Sequence, residues 1–387
     1  MRAVVTVLAL WLAGLGSAAQ FGKLSFAFDL MTARYPEQGA AGIGLIVSIV
    51  GIVGLIFGTT SGLLVARIGP RRAIVAALAL GAVVSALQTL PLPYAILILT
   101  RVLEGVSHLA IVVVGPTMIA GIAPPRHQGL AMTLWSSFFG VTYALLAILA
   151  PPLLAGGSIT VLFLSHAVWM AALSLILAFL LPGDPAAPPL PSIGGLIRQH
   201  GIIYASPRMA APAMGFVFYT ALYVALLTLL PPLLPEGQRA LAAAGMPLLS
   251  IVISLTLGVW GLRYISAVHM VQAGYAAGLL ATVALWATWG QGTPALIAAF
   301  ALAGAMGIVQ GASFASIPQL NETAEDRARA SGAVAQLGNV GTTTGTPLLA
   351  VMIGAMGPMG VILFALPLCA AGIALHELQA RRRQAWR

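Results

Sequence analysis

Arg101-Val102-Leu103-Glu104-Gly105-Val106-Ser107-His108 lies inside an otherwise apolar run from about residue 94 to residue 123. Arg101, Glu104 and His108 follow a 3-then-4 spacing, which stacks them on one face of a helix with about 3.6 residues per turn. The run is long enough to cross ~30 Å of hydrocarbon as a helix. A charge at bilayer depth costs at least ~2.5–3.5 kcal/mol, so this face must look at protein or water and not at lipid. Counting about 1.5 Å per residue from Tyr94 puts Arg101 ~10 Å deep, Glu104 ~15 Å and His108 ~21 Å, with Glu104 near the midplane. Two readings stand: an ionisable functional site, or an Arg101–Glu104 pair that neutralises itself and pins two helices together.

The same apolar character runs through the chain. Of 387 residues, 60% are hydrophobic and 7% charged, against roughly 25% charged in a soluble domain. The apolar runs are continuous, where an outer-membrane barrel would alternate apolar and polar residues. The fold class is therefore all-α, a polytopic membrane protein. A net charge of +9 would raise the question of nucleic acid in a soluble chain; here the basic residues mark topology, and no nucleic-acid partner is expected. Cys369 is the single cysteine, which excludes an internal disulfide. The opening Met1-Arg2, apolar to Gly16 and then Ser17-Ala18-Ala19, imitates a secretory signal. Apolar residues resume from Phe21 to Phe28, so the segment is read as a retained helix.

Runs bounded by charge and by Pro/Gly clusters give twelve spans, at about 3–28, 41–66, 73–92, 94–123, 129–153, 158–181, 210–234, 243–263, 268–290, 293–318, 329–356 and 358–376. The proline-rich stretch from Pro182 to Pro191 opens the one linker. The expected organisation is a six-helix bundle over 1–181, a cytoplasmic linker over 182–209, and a second six-helix bundle over 210–387 ending in a short basic cytoplasmic tail. With the amino terminus in the cytoplasm, fourteen of the eighteen Lys plus Arg fall inside, among them Arg126, Arg198, Arg208 and Arg387, and only Arg34 and Arg239 fall in outside loops. Both termini are then cytoplasmic. The halves also echo each other. Gly105 and Gly307 each precede a proline, Pro116 and Pro318, by eleven residues, and Arg126 to Gly140 matches Arg327 to Gly341 at fourteen. A repeat across such a chain is what two related bundles with a midplane site would show.

The second span ends in Gly62-Leu-Leu-Val-Ala66-Arg67-Ile-Gly69-Pro70-Arg71-Arg72, a sharp glycine turn with three cations at the interface. This resembles the signature loop of the major facilitator superfamily, Gly-x-x-x-Asp-Arg-x-Gly-Arg-Arg, and Arg101 with Gly105 is similar to that family's Arg-x-x-x-Gly element on the fourth helix. The resemblance implies two pseudo-symmetric six-helix bundles that transport a small solute by alternating access, as a monomer in the bacterial inner membrane. It makes Gly62, Arg67, Gly69, Arg71 and Arg72 the gating loop. The motif's aspartate is Ala66 here, which puts the family's usual cytoplasmic interlock in doubt. Gly338, Gly341, Gly345 and Pro347 on the eleventh span read as close helix packing.

The candidate binding and coupling residues are Arg101, Glu104, His108, Gln20, Lys23, Tyr219, Tyr223, Gln310, Gln336 and Asn339. Glu104 or His108 is the expected proton-responsive group. Lys23 is either a cavity cation or a snorkelling residue. Phe216, Tyr219, Thr220 and Tyr223 at helical spacing line a cavity or make a helix contact, and Gln310, Ser313, Gln336 and Asn339 are the hydrogen-bonding groups that orient a small solute. His166 reads as a packed or interfacial histidine, and Glu322, Glu325 and Asp326 as a solvated loop. No Gly-x-x-x-x-Gly-Lys-Ser/Thr and no zinc-like ligand spacing occurs, so no cofactor is expected, and with no nucleophile–base arrangement no enzymatic activity is expected. The function expected is proton-coupled secondary transport of a small organic anion, because Arg101 and Lys23 outnumber Glu104. The alternative is proton-driven efflux of hydrophobic or cationic compounds, and the remote alternative a membrane sensor or enzyme.

Overall fold

A computed structural model describes residues 2–124, 127–184 and 193–385. The linker prolines from 185 to 191, Arg126 and Arg387, used above for topology, lie outside the described residues. Within them the structure is helical throughout: α1 (Arg2–Phe26), α2 (Phe28–Arg34), α3 (Gly39–Ser48), α4 (Ile52–Phe57), α5 (Ser61–Ile68), α6 (Pro70–Leu87), α7 (Tyr94–Ile122), α8 (Gln128–Ser136), α9 (Phe138–Leu154) and α10 (Thr160–Leu180). Then come α11 (Ile193–Ala205), α12 (Ala210–Leu229), α13 (Glu236–Ile253), α14 (Val259–Gly261), α15 (Ala267–Ala287), α16 (Thr293–Leu320), α17 (Ala324–Met356) and α18 (Met359–Ala385).

Ten stretches are long and apolar enough to cross a membrane, where the sequence predicts twelve. The two others are present but fail one criterion each. The fifth span breaks at Ser137, which leaves α9 as a shorter apolar helix, Phe138–Leu154. The eleventh, α17, runs 33 residues but carries Gln336, Asn339 and threonines at 342, 343, 344 and 346. Other spans also depart from single rods: a 3-10 turn at Ile49–Gly51 interrupts the second, and a π-helical segment at Ser254–Gly258 lies in the eighth. Glu325 and Asp326 are not loop residues, since they form the first turn of α17 and pair with Arg329, at 2.6 and 3.5 Å. Acidic side chains belong at that end, where the helix dipole is positive.

The chain divides into two compact units, Met1–Gly39 with Ile49–Pro191, and Ala40–Ser48 with Ser192–Arg387. The boundary falls inside the predicted linker, but residues 40–48 group with the second unit, which a division at the linker alone does not give. In the first unit α6 packs between α7 and α10, and α1 packs on α7, α9 and α10. Leu10, Ile74, Leu78, Ile111, Met170 and Leu177 fill its core. In the second unit α12 lies along α17, α15 along α16, and α18 against α12 and α15. Large apolar side chains such as Phe179, Leu280 and Ile148 stay exposed, at 82, 73 and 65%. That is the surface expected of helices whose solvent is hydrocarbon.

The predicted internal repeat has a counterpart in packing. A Cβ on Gly105 would collide with the carbonyl of Val50, and a Cβ on Gly307 with the carbonyl of Ser250. In each unit this glycine lets a neighbouring backbone approach its helix closely. Gly341 and Gly345 meet the backbone at Val217 and Ala221 of α12 in the same way.

Candidate functional site

The polar residues of the first unit converge on Glu104. Lys23 of α1 donates from Nζ to Glu104 Oε1 at 2.5 Å, and the Arg101 guanidinium pairs with Oε2 one helical turn away. Gln88 at the end of α6 donates to the same Oε2 at 3.0 Å and to Thr100 Oγ1 at 3.0 Å. Every group facing the carboxyl is a donor, the arrangement that serves an anion. Lys23, Arg101 and Glu104 are all 0% exposed. Lys23 is therefore no snorkelling residue; its ammonium lies inside the unit and 4.8 Å over the Phe163 ring.

Lys23 extends the cluster to α6 and α10. Its Nζ donates to Ser85 Oγ at 2.9 Å and lies 3.5 Å from His166 Nδ1. Ser85 Oγ sits 2.9 Å from His166 Nδ1 and 2.9 Å from the carbonyl of Phe163. His166 Nε2 is 2.9 Å from the carbonyl of Gly16, which can only accept, so Nε2 carries the proton. On the other flank, His108 Nδ1 faces the hydroxyl of Ser17 at 2.8 Å and its carbonyl at 3.2 Å, and Gln20 donates to Ser107 at 2.9 Å. Phe21 meets His108 edge to face, and Phe139 stacks on Tyr143. Gln20 Oε1 and Gln88 Oε1 are buried acceptors with no hydrogen-bond partner among the described residues.

Five predicted site residues, Gln20, Lys23, Arg101, Glu104 and His108, thus meet in one unit. The other five belong to the second unit. Tyr219 and Tyr223 of α12 stack at 5.1 Å, with Phe216 5.0 Å from Tyr219 and 5.3 Å from Phe314. Gln336 accepts from Tyr204 of α11 at 2.6 Å, and its amide nitrogen lies 3.3 Å from His200. It is thereby tied to the connecting helix. Asn339 donates to the Ala335 carbonyl one turn back, at 2.7 Å. Gln310 is half-buried on α16. The sequence reading missed Ser85 and Gln88 and set His166 aside. Ser85 and Gln88 are one turn apart in an alanine- and valine-rich run, which is the signal that marks a polar face.

Of the residues expected to form the gating loop, Gly69, Arg71 and Arg72 gather around Asp184. Gly69 has φ +98°, a conformation open to glycine, and a Cβ there would strike the Asp184 side chain. Arg71 also donates from its guanidinium to the Ala178 carbonyl. Gly62 has open space around it, and Arg67 is exposed.

The family model of the major facilitator superfamily matches residues 8–266 of the sequence. The chain belongs to the major facilitator superfamily. As a member of it, the protein is a membrane transporter and not an enzyme, built on that family's all-α fold. It is similar in fold to the crystal structure of a bacterial homologue of the human lysosomal transporter Spinster, in two states. The inward-facing occupied form is 14% identical, covers 98% of this chain and 97% of that one, and superposes with a TM-score of 0.74. The inward-facing unoccupied form is 15% identical, with coverage of 98 and 95% and a TM-score of 0.69. No curated protein matches the sequence.

Proposed function

We propose that this superfamily member is a proton-coupled secondary transporter of a small organic anion. It would act as a monomer in a bacterial inner membrane, with both termini cytoplasmic and no cofactor. The observation that carries the reading is the charge count of the buried cluster, in which two cations, Lys23 and Arg101, share one carboxylate, Glu104. An excess cation held away from water is costly, and a carboxylate or phosphonate solute relieves that cost as alternating access opens the helices toward it. The planar guanidinium of Arg101 suits a carboxylate in particular. The orientation rests on the basic residues of the predicted cytoplasmic loops.

The test is uptake into vesicles of defined orientation containing the purified protein, with and without an imposed pH gradient. Acetate, lactate, benzoate and succinate stand for organic anions, and tetraphenylphosphonium stands for lipophilic cations. A proton gradient should drive accumulation of at least one anion, and Arg101→Lys should weaken its binding more than it alters folding. Accumulation of tetraphenylphosphonium with no anion transported would instead establish an efflux pocket for cations.

A further inference from the structure

Lys23 is the only lysine in the chain; the other residues counted among the 18 Lys plus Arg are arginines. Positive charge at the membrane surface is supplied by arginine alone, and the one ammonium is placed where it is 0% exposed. The two side chains differ in one chemical respect that matters there. An arginine keeps its proton in proteins, whereas a buried lysine can release one.

The charges around it define what a release would do. Arg101 and Glu104 balance each other, so Lys23 is the excess charge of the cluster, and its deprotonation leaves the site neutral. The groups facing it are Glu104 and Arg101 of α7, Ser85 of α6 and His166 of α10. Tyr143 of α9 and His108 of α7 complete the ionisable groups of this region, both buried. Glu104 is surrounded by donors only. His166 instead offers an acceptor, because the Gly16 carbonyl fixes the proton on Nε2 and leaves Nδ1 bare toward Ser85 and Lys23. Ser85 has one hydroxyl proton and two acceptors at 2.9 Å, the Phe163 carbonyl and His166 Nδ1. Rotation of that hydroxyl connects or disconnects the lysine and the histidine. His166 and His108 keep 7 and 8% exposure against 0% for Lys23, and of the two histidines only His166 contacts the lysine.

We propose that Lys23 carries the coupling proton and that Ser85 and His166 relay it between the lysine and water. On release, the Lys23 ammonium gives one proton to Ser85 Oγ as the hydroxyl proton passes to His166 Nδ1. When alternating access brings water to the ring, the imidazolium gives up the Nδ1 proton to it and keeps Nε2–H on the Gly16 carbonyl, so the histidine resets and the lysine is left a neutral amine. On loading, the steps reverse, and an incoming monoanion stabilises the restored ammonium, so one proton accompanies each anion. This rests on the proton-coupled reading above and names the group that performs it.

The sole lysine makes the assignment directly measurable. Full-length protein grown on isotopically labelled lysine and held in lipid nanodiscs gives a single lysine side-chain resonance by NMR. Raising the pH from about 5 to about 10 should move that resonance from the ammonium to the amine position. His166→Gln should slow exchange of the Lys23 ammonium protons with water about tenfold or more, while the lysine still titrates. A resonance that stays at one position throughout, or exchange unchanged in His166→Gln, overturns the assignment. This measurement needs no substrate, so it decides the matter even if the vesicle assay finds no proton-driven anion uptake, which would sink the transport reading instead. Where uptake is found, Lys23→Arg keeps the charge and should lose the proton dependence, and transport with unchanged pH dependence in that variant also refutes the proposal.

Discussion

Asp184, just beyond α10, accepts hydrogen bonds from the backbone amides of Arg71 and Arg72, at 2.7 and 3.1 Å, so a residue 112 or more positions downstream caps the first turn of α6. Gly69 precedes that turn and makes no side-chain cap of its own, and the carboxylate also sits favourably at the positive end of the helix. The contact to the Arg72 side chain is longer, at 3.6 Å, and Arg72 is exposed, so the amides matter more than the ion pair. The loop whose signature aspartate is replaced by Ala66 thus has a carboxylate from the start of the linker. Asp184→Ala should cost about 1 kcal/mol, the usual scale of a lost cap, and Asp184→Asn less, read as the thermal unfolding midpoint. Equal stability of the wild type and Asp184→Ala would show that the amides find water equally well.

The turn glycine before that helix gives a second, larger effect. Gly69→Ala would place a side chain at φ +98° and drive its Cβ into Asp184, a strain of order 1–3 kcal/mol. Gly62→Ala lies in the same loop with nothing within reach and should be neutral or slightly stabilising, since alanine is the better helix former. Comparing the two midpoints separates backbone strain from a general intolerance of the loop.

Gly105 and Gly307 predict parallel behaviour in the two units. Each would bring a methyl group against a neighbouring carbonyl, Val50 or Ser250, so either alanine variant should lose roughly 1–3 kcal/mol by overpacking. The measurement is again thermal unfolding of each single variant. A loss confined to one of them would mean that the sequence repeat has no shared structural role.

This repeat was legible in the sequence because glycine and proline keep their offsets along a helix. The spans were legible because apolar runs need no partner to be recognised, and Arg101, Glu104 and His108 because one helix carries all three. The partners of Glu104 were harder to read. Lys23 lies 81 residues away and Gln88 follows α6, with Ser85 and His166 reached only through Lys23, and periodicity within a helix says nothing about which neighbour it faces. The partners of Gln336 were hidden for the same reason, since Tyr204 and His200 sit on α11, inside the stretch read as linker. The break at Ser137 carries neither proline nor glycine, and the one at Ile49–Gly51 carries only Gly51, in a run where Gly42, Gly44, Gly54 and Gly58 read the same way.

Orientation is testable without any substrate. Reporter fusions after Arg383 and within the 193–205 helix should read cytoplasmic, and one near Glu37 should read external, as the distribution of arginines requires. A helix 193–205 found outside would reverse the assignment for both units together.

The charge count of the buried cluster makes the sharpest stability prediction. Glu104→Gln removes the only anion between Lys23 and Arg101 and leaves two cations out of water, the situation in which a broken buried pair costs about 3–5 kcal/mol. Lys23→Met removes the excess cation instead and leaves Arg101 with Glu104, so it should cost clearly less, although it also strips donors from Ser85 and Glu104. Combining the two changes leaves one cation rather than two, so the double variant should be more stable than Glu104→Gln alone. A favourable coupling energy in that double-mutant cycle is the signature of direct electrostatic contact. If Lys23→Met proves as damaging as Glu104→Gln, packing around the lysine stem outweighs charge, and the cluster does not carry the excess positive charge on which the anion reading depends.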